Sequence, residues 1–362
     1  MKKIMLLLLS GLVITSILIG SFGCTPTSAP APAPTAVVSE GGAAIVKEGA
    51  TSVFATLRIN VMGPARTFTF AQEWWAEQVT EKTNGAIKFE HFYNDALGAH
   101  KEQLDNLKAG TFEIGFINPA QFPAKVPLHF LINAPVGLSG DSLAHAKAGE
   151  DLSATPELAA ELLSWNVKRL FSVQMPSYQI ISTKKVSSLA ELKGVKLWSA
   201  GSVAKLLGKL GAVPVTIPAG EVYEAIHLGT LDGAAWPLYA CVGYKLHEVS
   251  EYYTTANLGA AAFPFLINLD TWNDLPSDVQ QIMLDVAAQV GEKHAKAYDD
   301  ESTGHIATMQ KIGIELLELP AADQTVLKDA GKVLWYAMAD EHGAPGPAIV
   351  KDYEAAIAKY ER

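Results

Sequence analysis

The sequence predicts an α/β protein that is built from two similar lobes and braced by long C-terminal helices. In residues 54–117 short apolar segments alternate with segments of helical spacing, which is typical of an α/β sheet. The alternation starts again at residue 167. Residues 277–310 contain no proline, and Ile282, Val286 and Val290 have the spacing of one long helix packed along a body.

Apolar alternation and turn signals define the elements of the first half. The loop with Gly63 and Pro64 separates the first strand from the first helix, and Asn84-Gly85 ends that helix. Of the two adjacent tryptophans in the helix, Trp74 is expected in the core. The predicted elements are strands at 54–61, 87–93 and 112–117 and helices at 68–83 and 99–109.

The second half repeats this organisation and ends in helices. Ser188 and Glu191 have the spacing of a capping box that opens a short helix. Residues 343–347, rich in glycine and proline, are predicted to form a loop. The other predicted elements are strands at 167–175, 178–183, 195–198, 213–217, 261–268 and 312–318 and helices at 203–210, 221–228 and 321–338.

One short motif occurs in both halves. An apolar residue, two further residues, glycine, threonine, an apolar residue and an acid stand at 107–113 and again at 226–232. This pattern indicates a helix that ends on a glycine in the left-handed conformation and is followed by a short strand. The repeat favours two similar lobes, although a match of this length also arises by coincidence.

The N-terminal residues have the pattern of a targeting segment. Lys2 and Lys3 precede the apolar run 4–19, and small residues then lead to Cys24, which is typical of a secretory signal with a lipoprotein ending. Ser21 departs from the aliphatic residue usual at its position, and a single membrane span is the alternative interpretation. We expect residues 1–23 to be a signal peptide and Cys24 to carry a lipid.

The Ala/Pro-rich residues 24–50 are predicted to form an extended tether, with the folded body beginning near residue 51. We therefore expect the protein to be secreted across the cytoplasmic membrane and lipid-anchored on the outer face of that membrane, in the periplasm or at the cell surface.

Composition excludes several classes of function. Twenty-eight basic and 38 acidic residues give a net charge of −10, which argues against a nucleic-acid partner. Two cysteines form no disulfide framework, and no histidine or cysteine cluster has zinc spacing. No catalytic motif of a metalloprotease or a serine hydrolase is present. We therefore expect no enzyme, no metal and no cofactor, and we interpret Cys241 as a small buried thiol rather than a nucleophile.

Several segments, taken in order, resemble the solute-binding proteins of TRAP transporters, the DctP-type family. The resemblance covers about residues 55–340. It implies a periplasmic-binding-protein-like clamp of type II, in which each lobe is a mixed sheet with flanking helices and a long helix braces both. The segments are residues 82–90, 94–103, 109–119, 187–196, 211–225, 228–237 and 268–276.

The resemblance also implies a division of the body and a mechanism. Lobe I is expected at 51–175 together with about 264–303, and lobe II at about 176–263 together with 304–362. The lobes close on one small solute, and the family hands that solute to membrane permease subunits driven by an ion gradient.

The sequence departs from the family at the most informative positions. The family usually has Lys-apolar-Arg after its Leu-Lys-Gly element, and that arginine holds the ligand carboxylate through two parallel hydrogen bonds. Here Trp198 replaces the arginine, Trp236 stands where the family often has asparagine, and Tyr178 lies where some members have another arginine. Loss of the arginine should weaken carboxylate binding, and the indoles offer apolar faces with single N–H donors.

Three interpretations of these departures stay open. The ligand is an apolar, aromatic or less charged compound held between Trp198 and Trp236. Alternatively, the ligand is still an organic anion, and Arg66, in the loop after the first strand, supplies the charge. In the third interpretation the tryptophans pack in the core and contact no ligand.

Other residues of the predicted ligand site follow from position. Asn118 ends a strand where family members place a ligand-contacting polar residue, and Tyr239 follows Trp236 closely. His100 is equally well a solvated histidine at a helix start, and the Glu221 carboxylate also suits the helix dipole without any ligand.

The sequence therefore predicts an extracytoplasmic binding component of a TRAP-type transporter that captures an organic acid or an aromatic or apolar compound. Its mechanism is binding, closure and delivery to permease subunits, with affinity and closure forming one coupled equilibrium. The alternatives are a ligand sensor for a membrane receptor and, at greater distance, an enzyme on this fold that uses Cys241 or Glu221.

Overall fold

The computed structural model describes residues 54–133, 141–343 and 345–361. The predicted signal peptide, Cys24 and the tether lie outside the described residues. No helix in the part that is described is long and apolar enough to cross a membrane.

The strands and helices of the described chain are numbered in chain order. The strands are β1 (Ala55–Asn60), β2 (Ile87–Phe92), β3 (Ile114–Phe116), β4 (Val167–Met175), β5 (Gln179–Ser182), β6 (Lys196–Trp198), β7 (Val213–Val215), β8 (Gly233–Trp236), β9 (Tyr252–Thr255), β10 (Ala261–Asn268) and β11 (Glu315–Glu318). The helices are α1 (Thr67–Lys82), α2 (Gln103–Lys108), α3 (Pro127–Ile132), α4 (Ser142–Ser153), α5 (Pro156–Leu163), α6 (Gly201–Lys209), α7 (Val222–His227), α8 (Leu238–Gly243), α9 (Leu269–Asp274), α10 (Ser277–Lys311), α11 (Ala321–Asp340) and α12 (Pro345–Tyr360).

Two separate mixed sheets form the framework of the two lobes. The first has the order β2-β1-β3-β10-β4, with β1 parallel to β2 and β3 and with β10 antiparallel to β3 and β4. The second has the order β11-β9-β5-β8-β6-β7, in which β6 runs parallel to β7 and β8. The predicted fold class, a two-lobe clamp with a mixed sheet in each lobe, is confirmed.

The chain crosses between the sheets in two short segments that pair with each other. Residues 176–178 lead from β4 to β5, and residues 256–260 lead from β9 to β10. The Tyr178 N–H donates to the Gly259 carbonyl at 2.8 Å, and the Leu258 N–H donates to the Tyr178 carbonyl at 3.0 Å. The Gln179 side-chain oxygen accepts the N–H groups of both Ala256 and Asn257. These bonds give the connection between the lobes a defined path.

Helix α10, with 35 residues, forms a third connection. It packs against α1, α4 and β4 of the first lobe and against α8 of the second. Its buried side includes Met283, whose carbonyl accepts the indole N–H of Trp75 at 3.0 Å, together with Val286 and Val290. The long bracing helix predicted from the sequence is therefore present.

The repeated motif has the same local structure in both lobes. Its glycines end α2 and α7 with φ values of +67° and +72°, where a side chain would be strained. The acid that closes each motif accepts a backbone N–H from the neighbouring parallel strand, Glu113 from Arg58 (2.7 Å) and Asp232 from Lys196 (2.8 Å). The match is a real structural repeat.

Three local predictions were wrong. Trp75 is the fully buried tryptophan of α1, and Trp74 is only partly buried. The predicted short helix after Ser188 is present as a 3₁₀ helix, but the capping box is absent, because the Ser188 side chain makes no capping bond and the Glu191 carboxylate accepts from Ser187 instead. Residues 345–347 are not a loop, because Pro345 opens α12; proline fits a first helical turn, where its missing N–H has no intrahelical partner.

No prediction was made for α3–α5, α8, β9, α9 and α12. Helix α12 packs against α3, α4 and α11, and the indole N–H of Trp335 on α11 donates to the Leu131 carbonyl of α3 at 2.8 Å. These contacts join α3 and α4, which the predicted division assigns to lobe I, to α11 and α12, which it assigns to lobe II. The lobe boundaries stay a prediction.

Candidate functional site

Two of the predicted site residues, Tyr178 and Tyr239, lie where the apolar cores of the two lobes meet. Tyr178, just before β5, packs against the apolar cores of both lobes, and so does Tyr239 on α8. In the second lobe the parallel strands β6 and β8 end at Trp198 and Trp236, which belong to the core against which Tyr178 and Tyr239 pack. In the first lobe the loop after β1 carries Arg66, whose charge acts on Tyr239. The chain thus builds its candidate cleft from loop residues that follow short, buried strands.

Trp198 and Trp236 form a packed pair at the second-lobe side. Their ring centroids lie 4.2 Å apart at 33°, and only 9% and 7% of the residues' surfaces are exposed. The Trp198 indole N–H donates to the Ile217 carbonyl at 2.8 Å, and Trp236 also stacks with Tyr244 at 4.9 Å. A third aromatic ring does not fit between rings at this distance, so the structure does not show the slot of the first interpretation.

Arg66 lies at the first-lobe side, directly before α1. Its Nη1 donates to the carbonyls of Met62 and Pro64 at 3.1 and 2.8 Å, and the guanidinium lies 5.0 Å from the ring centroid of Phe68. Gly63 makes this docking possible, because a Cβ there would come within 2.6 Å of Nη1. Among the described residues, Nε and Nη2 have no hydrogen-bond partner. The edge of the guanidinium that carries Nε and Nη2 is therefore fixed in position, and its two parallel N–H groups are not used by any described residue.

A carboxylate stands near this arginine without pairing with it. Asp95 follows Asn94, and both have a φ of +57°, an uncommon conformation for residues other than glycine. The Asp95 Oδ1 is buried and has no partner among the described residues. Burial raises the pKa of this carboxyl, and the charge of Arg66 opposes that shift. The two groups are close enough to interact electrostatically, but they form no ion pair.

We call Tyr178, Tyr239 and Tyr298 the tyrosine cluster. Tyr239 and Tyr298 lie near enough to Arg66 for its charge to act on their hydroxyls, and Tyr178 interacts with both of these tyrosines. The rings of Tyr239 and Tyr298 are 5.4 Å apart. Burial raises the pKa of Tyr178 to about 12, and it raises the pKa values of the other two hydroxyls further, while Arg66 acts in the opposite direction on both of these. No described residue is hydrogen-bonded to any of the three hydroxyls.

The bracing helix connects the tyrosine cluster to the loop of Arg66. His294 lies one helical turn before Tyr298, and their rings are 4.4 Å apart. Its Nε2–H donates to the Thr67 carbonyl at 3.0 Å. Burial lowers the pKa of His294 to about 4, so the imidazole is neutral near pH 7 and contributes hydrogen bonding rather than charge.

His100 and Asn118 form a supporting pair in the first lobe. The His100 Nε2 accepts the Asn118 N–H at 3.2 Å, and the ring lies between Phe116 and Phe122. Burial lowers the pKa of His100 to about 4. The Asn118 Oδ1 accepts the Ala120 N–H at 3.0 Å and caps the following turn. His100 is thus a buried positioning group, and not the solvated histidine of the alternative interpretation.

Glu221 and Cys241 stand apart from the residues described above. Glu221 is exposed at the start of α7, and no described contact joins it to the tryptophans or the tyrosines. The Cys241 thiol is fully buried, lies 3.6 Å from the Trp236 carbonyl and has a raised pKa because of that burial. Within the described ranges no group of three or more histidines, cysteines and carboxylates is arranged to hold a metal ion.

Sequence reasoning missed Asp95, His294 and Tyr298. Asp95 lies inside a segment that carried the family resemblance, but its approach to Arg66 depends on the fold of two loops. His294 and Tyr298 share one face of a helix that was predicted. Their spacing of four residues was a usable signal, but nothing local shows which part of a long helix lies at the junction.

Known proteins are similar to this chain over most of its length. Residues 61–342 match the family model of the bacterial extracellular solute-binding proteins, family 7. A monocarboxylate 2-oxoacid-binding periplasmic protein of Nostoc is 26% identical over 337 residues, which are 91% of this chain and 90% of that protein. A C4-dicarboxylate-binding periplasmic protein of Rhodobacter capsulatus is 26% identical over 282 residues, which are 76% of this chain and 84% of that protein.

Solved structures are similar over most of the described chain. A TRAP periplasmic solute-binding protein from Desulfovibrio salexigens, an open complex, has a TM-score of 0.77 and 26% identity, covering 84% of this chain and 96% of its own. A TRAP solute-binding protein from Rhodoferax ferrireducens with copurified benzoate has a TM-score of 0.74 and 22% identity, covering 84% and 98%.

Proposed function

Because the chain belongs to the bacterial extracellular solute-binding proteins, family 7, we propose that it captures a small organic acid outside the cytoplasm and delivers it to the membrane permease of a TRAP transporter. The observation that carries this proposal is the free edge of the Arg66 guanidinium at the junction of the lobes. It supports the interpretation in which the ligand is an anion.

Arg66 replaces the family arginine in this proposal. Its Nη1 is fixed by two backbone carbonyls, so the Nε and Nη2 groups stay oriented as a pair. Such a pair matches the two oxygens of a carboxylate, and a guanidinium keeps its charge at every physiological pH. A positioned donor pair also loses little conformational entropy on binding.

The tryptophans have a different role in the proposed site. Trp198 and Trp236 form an apolar wall on the second lobe, next to the ligand and not around it. Phe68 and Phe263, whose rings lie 5.7 Å apart, form the facing apolar surface of the first lobe. Asn118 contributes its amide N–H groups, His100 positions Asn118, and Tyr178 and Tyr239 lie between the two lobes. Glu221 is left outside the ligand shell.

Two groups of relatives support an organic acid. The Nostoc protein is named for monocarboxylate 2-oxoacids, and the Rhodobacter capsulatus protein for C4-dicarboxylates. Both classes carry at least one carboxylate. Both relatives are named as binding proteins, and in this chain the Cys241 thiol is buried.

Closure and anchoring complete the proposal. The paired segments 176–178 and 256–260 act as the hinge between lobe I (51–175 and about 264–303) and lobe II (about 176–263 and 304–362). Cys24 carries a lipid after removal of residues 1–23, and residues 24–50 tether the clamp to the outer face of the membrane. The delivery partner is a pair of TRAP permease subunits.

Titration calorimetry on the full-length protein in detergent tests the acid site. Pyruvate, succinate and benzoate are the probes, and benzamide is the neutral counterpart of benzoate. We expect at least one acid to bind and Arg66→Gln to weaken it by at least about tenfold, since a hydrogen bond to a charged group contributes about 1.5–3 kcal/mol.

Arg58→Gln is the matched control, because Arg58 pairs with Glu113 at 2.6 Å on the outer part of the first lobe. It should leave acid binding unchanged. Equal binding of benzamide and benzoate, or unaltered acid binding in Arg66→Gln, would refute the assignment of Arg66.

A further inference from the structure

The tyrosine cluster holds polar groups that have no hydrogen-bond partner among the described residues. Tyr298 is 2% exposed, and its hydroxyl is fully buried with no hydrogen bond to any described residue. Buried polar groups normally find a partner, and an unsatisfied one destabilises the fold. Tyr353 is just as buried, yet its hydroxyl reaches the His145 carbonyl at 3.5 Å. The lack of a partner is a property of the position and not of buried tyrosines in this chain.

The three hydroxyls come from three different parts of the clamp. Tyr178 lies in a crossing segment, Tyr239 lies on α8 of the second lobe, and Tyr298 lies on the bracing helix. They are near enough to one another, and Tyr239 and Tyr298 are near enough to Arg66, for their charges to interact. The cluster therefore lies next to the proposed carboxylate site, where both lobes meet.

We propose that the tyrosine cluster is a second polar subsite of the cleft, which binds a hydroxyl or keto oxygen that the solute carries in addition to its carboxylate. This inference rests on the proposed function, because it places the solute carboxylate on Arg66. A phenol hydroxyl donates one hydrogen bond and also accepts, so the cluster can donate to a keto oxygen or exchange bonds with a hydroxyl. The solute class is a hydroxy or oxo acid, not a plain carboxylic acid.

The chemistry of the subsite favours neutral oxygen over a second carboxylate. Burial holds the three tyrosines in the neutral form, so they supply donors without positive charge. The nearest charges described at the cluster are Arg66, which the first carboxylate occupies, and the Glu301 carboxylate, which repels an anion. A second carboxylate would be buried there without a cation, which is costly.

The test compares acids of equal charge that differ only in the second oxygen. The full-length protein in detergent is titrated with propionate, lactate and pyruvate and with benzoate, 3-hydroxybenzoate and 4-hydroxybenzoate. We expect one hydroxy or oxo acid to bind at least about tenfold more tightly than the acid without the second oxygen. A neutral hydrogen bond in a dry site contributes up to about tenfold in affinity, and the acid without the oxygen also leaves the buried tyrosine hydroxyls without a partner, which weakens its binding further.

Tyr298→Phe, Tyr239→Phe and Tyr178→Phe remove single hydroxyls, and Tyr353→Phe is the matched control. In at least one cluster variant, the affinity for the hydroxy or oxo acid should exceed that for the acid without the second oxygen by no more than about threefold. The affinity for the acid without the second oxygen should stay within about threefold of its value in the unaltered protein, since only one neutral hydrogen bond is lost. The control should keep the full preference. Without ligand, Tyr298→Phe should unfold at the same temperature as the unaltered protein or higher, because an unsatisfied group is removed.

Two results separate this inference from the function on which it rests. Acids that bind through Arg66 with no preference for a second oxygen, or a preference that survives in the triple Tyr→Phe variant, would overturn the subsite alone. Absence of binding for all six acids and for succinate would overturn the proposed acid site and the subsite together.

Discussion

The packed tryptophan pair makes a quantitative prediction about what Trp198 does. If Trp198 and Trp236 stabilise each other as a wall of the second lobe, replacing either by leucine should cost stability, and replacing both should cost less than the sum. If instead the ligand separates the rings, the pair should contribute to ligand affinity and contribute nothing to the unliganded fold. A double-mutant cycle on unfolding distinguishes these two cases.

The structure sets the expected magnitudes. Trp198→Leu loses the hydrogen bond to the Ile217 carbonyl, worth about 0.5–1.5 kcal/mol, and leaves a cavity where a nearly buried indole was. We expect a single-variant cost of roughly 2–4 kcal/mol in the free energy of unfolding. Rings whose centroids are 4.2 Å apart should be coupled by about 0.5–1.5 kcal/mol.

The assay is urea unfolding of the full-length protein, followed by circular dichroism, for the unaltered chain, both single variants and the double variant. Binding of the preferred acid is measured in parallel. We expect Trp198→Leu to change affinity by less than about fivefold, far less than Arg66→Gln, because no polar bond to the carboxylate is lost. A coupling energy below about 0.3 kcal/mol, together with loss of binding in Trp198→Leu, would refute the packed wall and restore the slot between the indoles.

Three further predictions concern the fold and the enzyme alternative. Gly110→Ala should destabilise the first lobe by about 1 kcal/mol because φ is +67° there, whereas the control Gly304→Ala inside α10 should be neutral or stabilising in urea unfolding. The pKa of His100 is about 4 in the folded protein and near 6.5 in the unfolded chain, so its contribution to stability is present above pH 6.5 and is lost as the pH falls towards 4. A His100→Gln variant should lose less of its free energy of unfolding between pH 6.5 and pH 4 than the unaltered protein. An equal loss in both proteins would contradict the assignment of His100 as a buried neutral group. Cys241 should react with a thiol reagent only after unfolding, and fast labelling of the native chain would show that the thiol is not the buried group described above.

The parts of the fold that the sequence predicted well are those with strong local patterns. Strands β4 and β10 were predicted with their observed bounds, because each is a long segment rich in apolar residues, most of which are buried. Helix α10 followed from the absence of proline and from its apolar spacing. Helices α3, α5 and α12 were not predicted, because each begins at a proline and proline reads as a breaker unless the start of the helix is known.

The phase of a helix and the identity of its neighbours were harder to predict. Both tryptophans of α1 suit a core position, and the choice between Trp74 and Trp75 depends on where α10 lies, since Trp75 reaches the Met283 carbonyl. The same reason explains why Tyr298 was missed and why the sequence left open whether Trp198 contacts a ligand or packs in the core. Local sequence defines which residue stands at a strand end, but the packing of the whole lobe decides whether its side chain faces ligand or another indole.

In the proposed site, the distribution of charge between the lobes has a mechanical consequence. The family arginine that this chain lacks would stand on β6 of the second lobe, whereas Arg66 belongs to the first lobe and is bound to its backbone. The first lobe alone therefore supplies the positive charge that holds the acid, before the clamp closes. The second lobe contributes an apolar tryptophan wall and the Tyr239 hydroxyl, which gain from closure through desolvation and neutral hydrogen bonding rather than through charge attraction. Acids that lack a second oxygen should then bind the first lobe but favour closure less, because a ligand can shift this equilibrium only by the difference between its affinities for the two states.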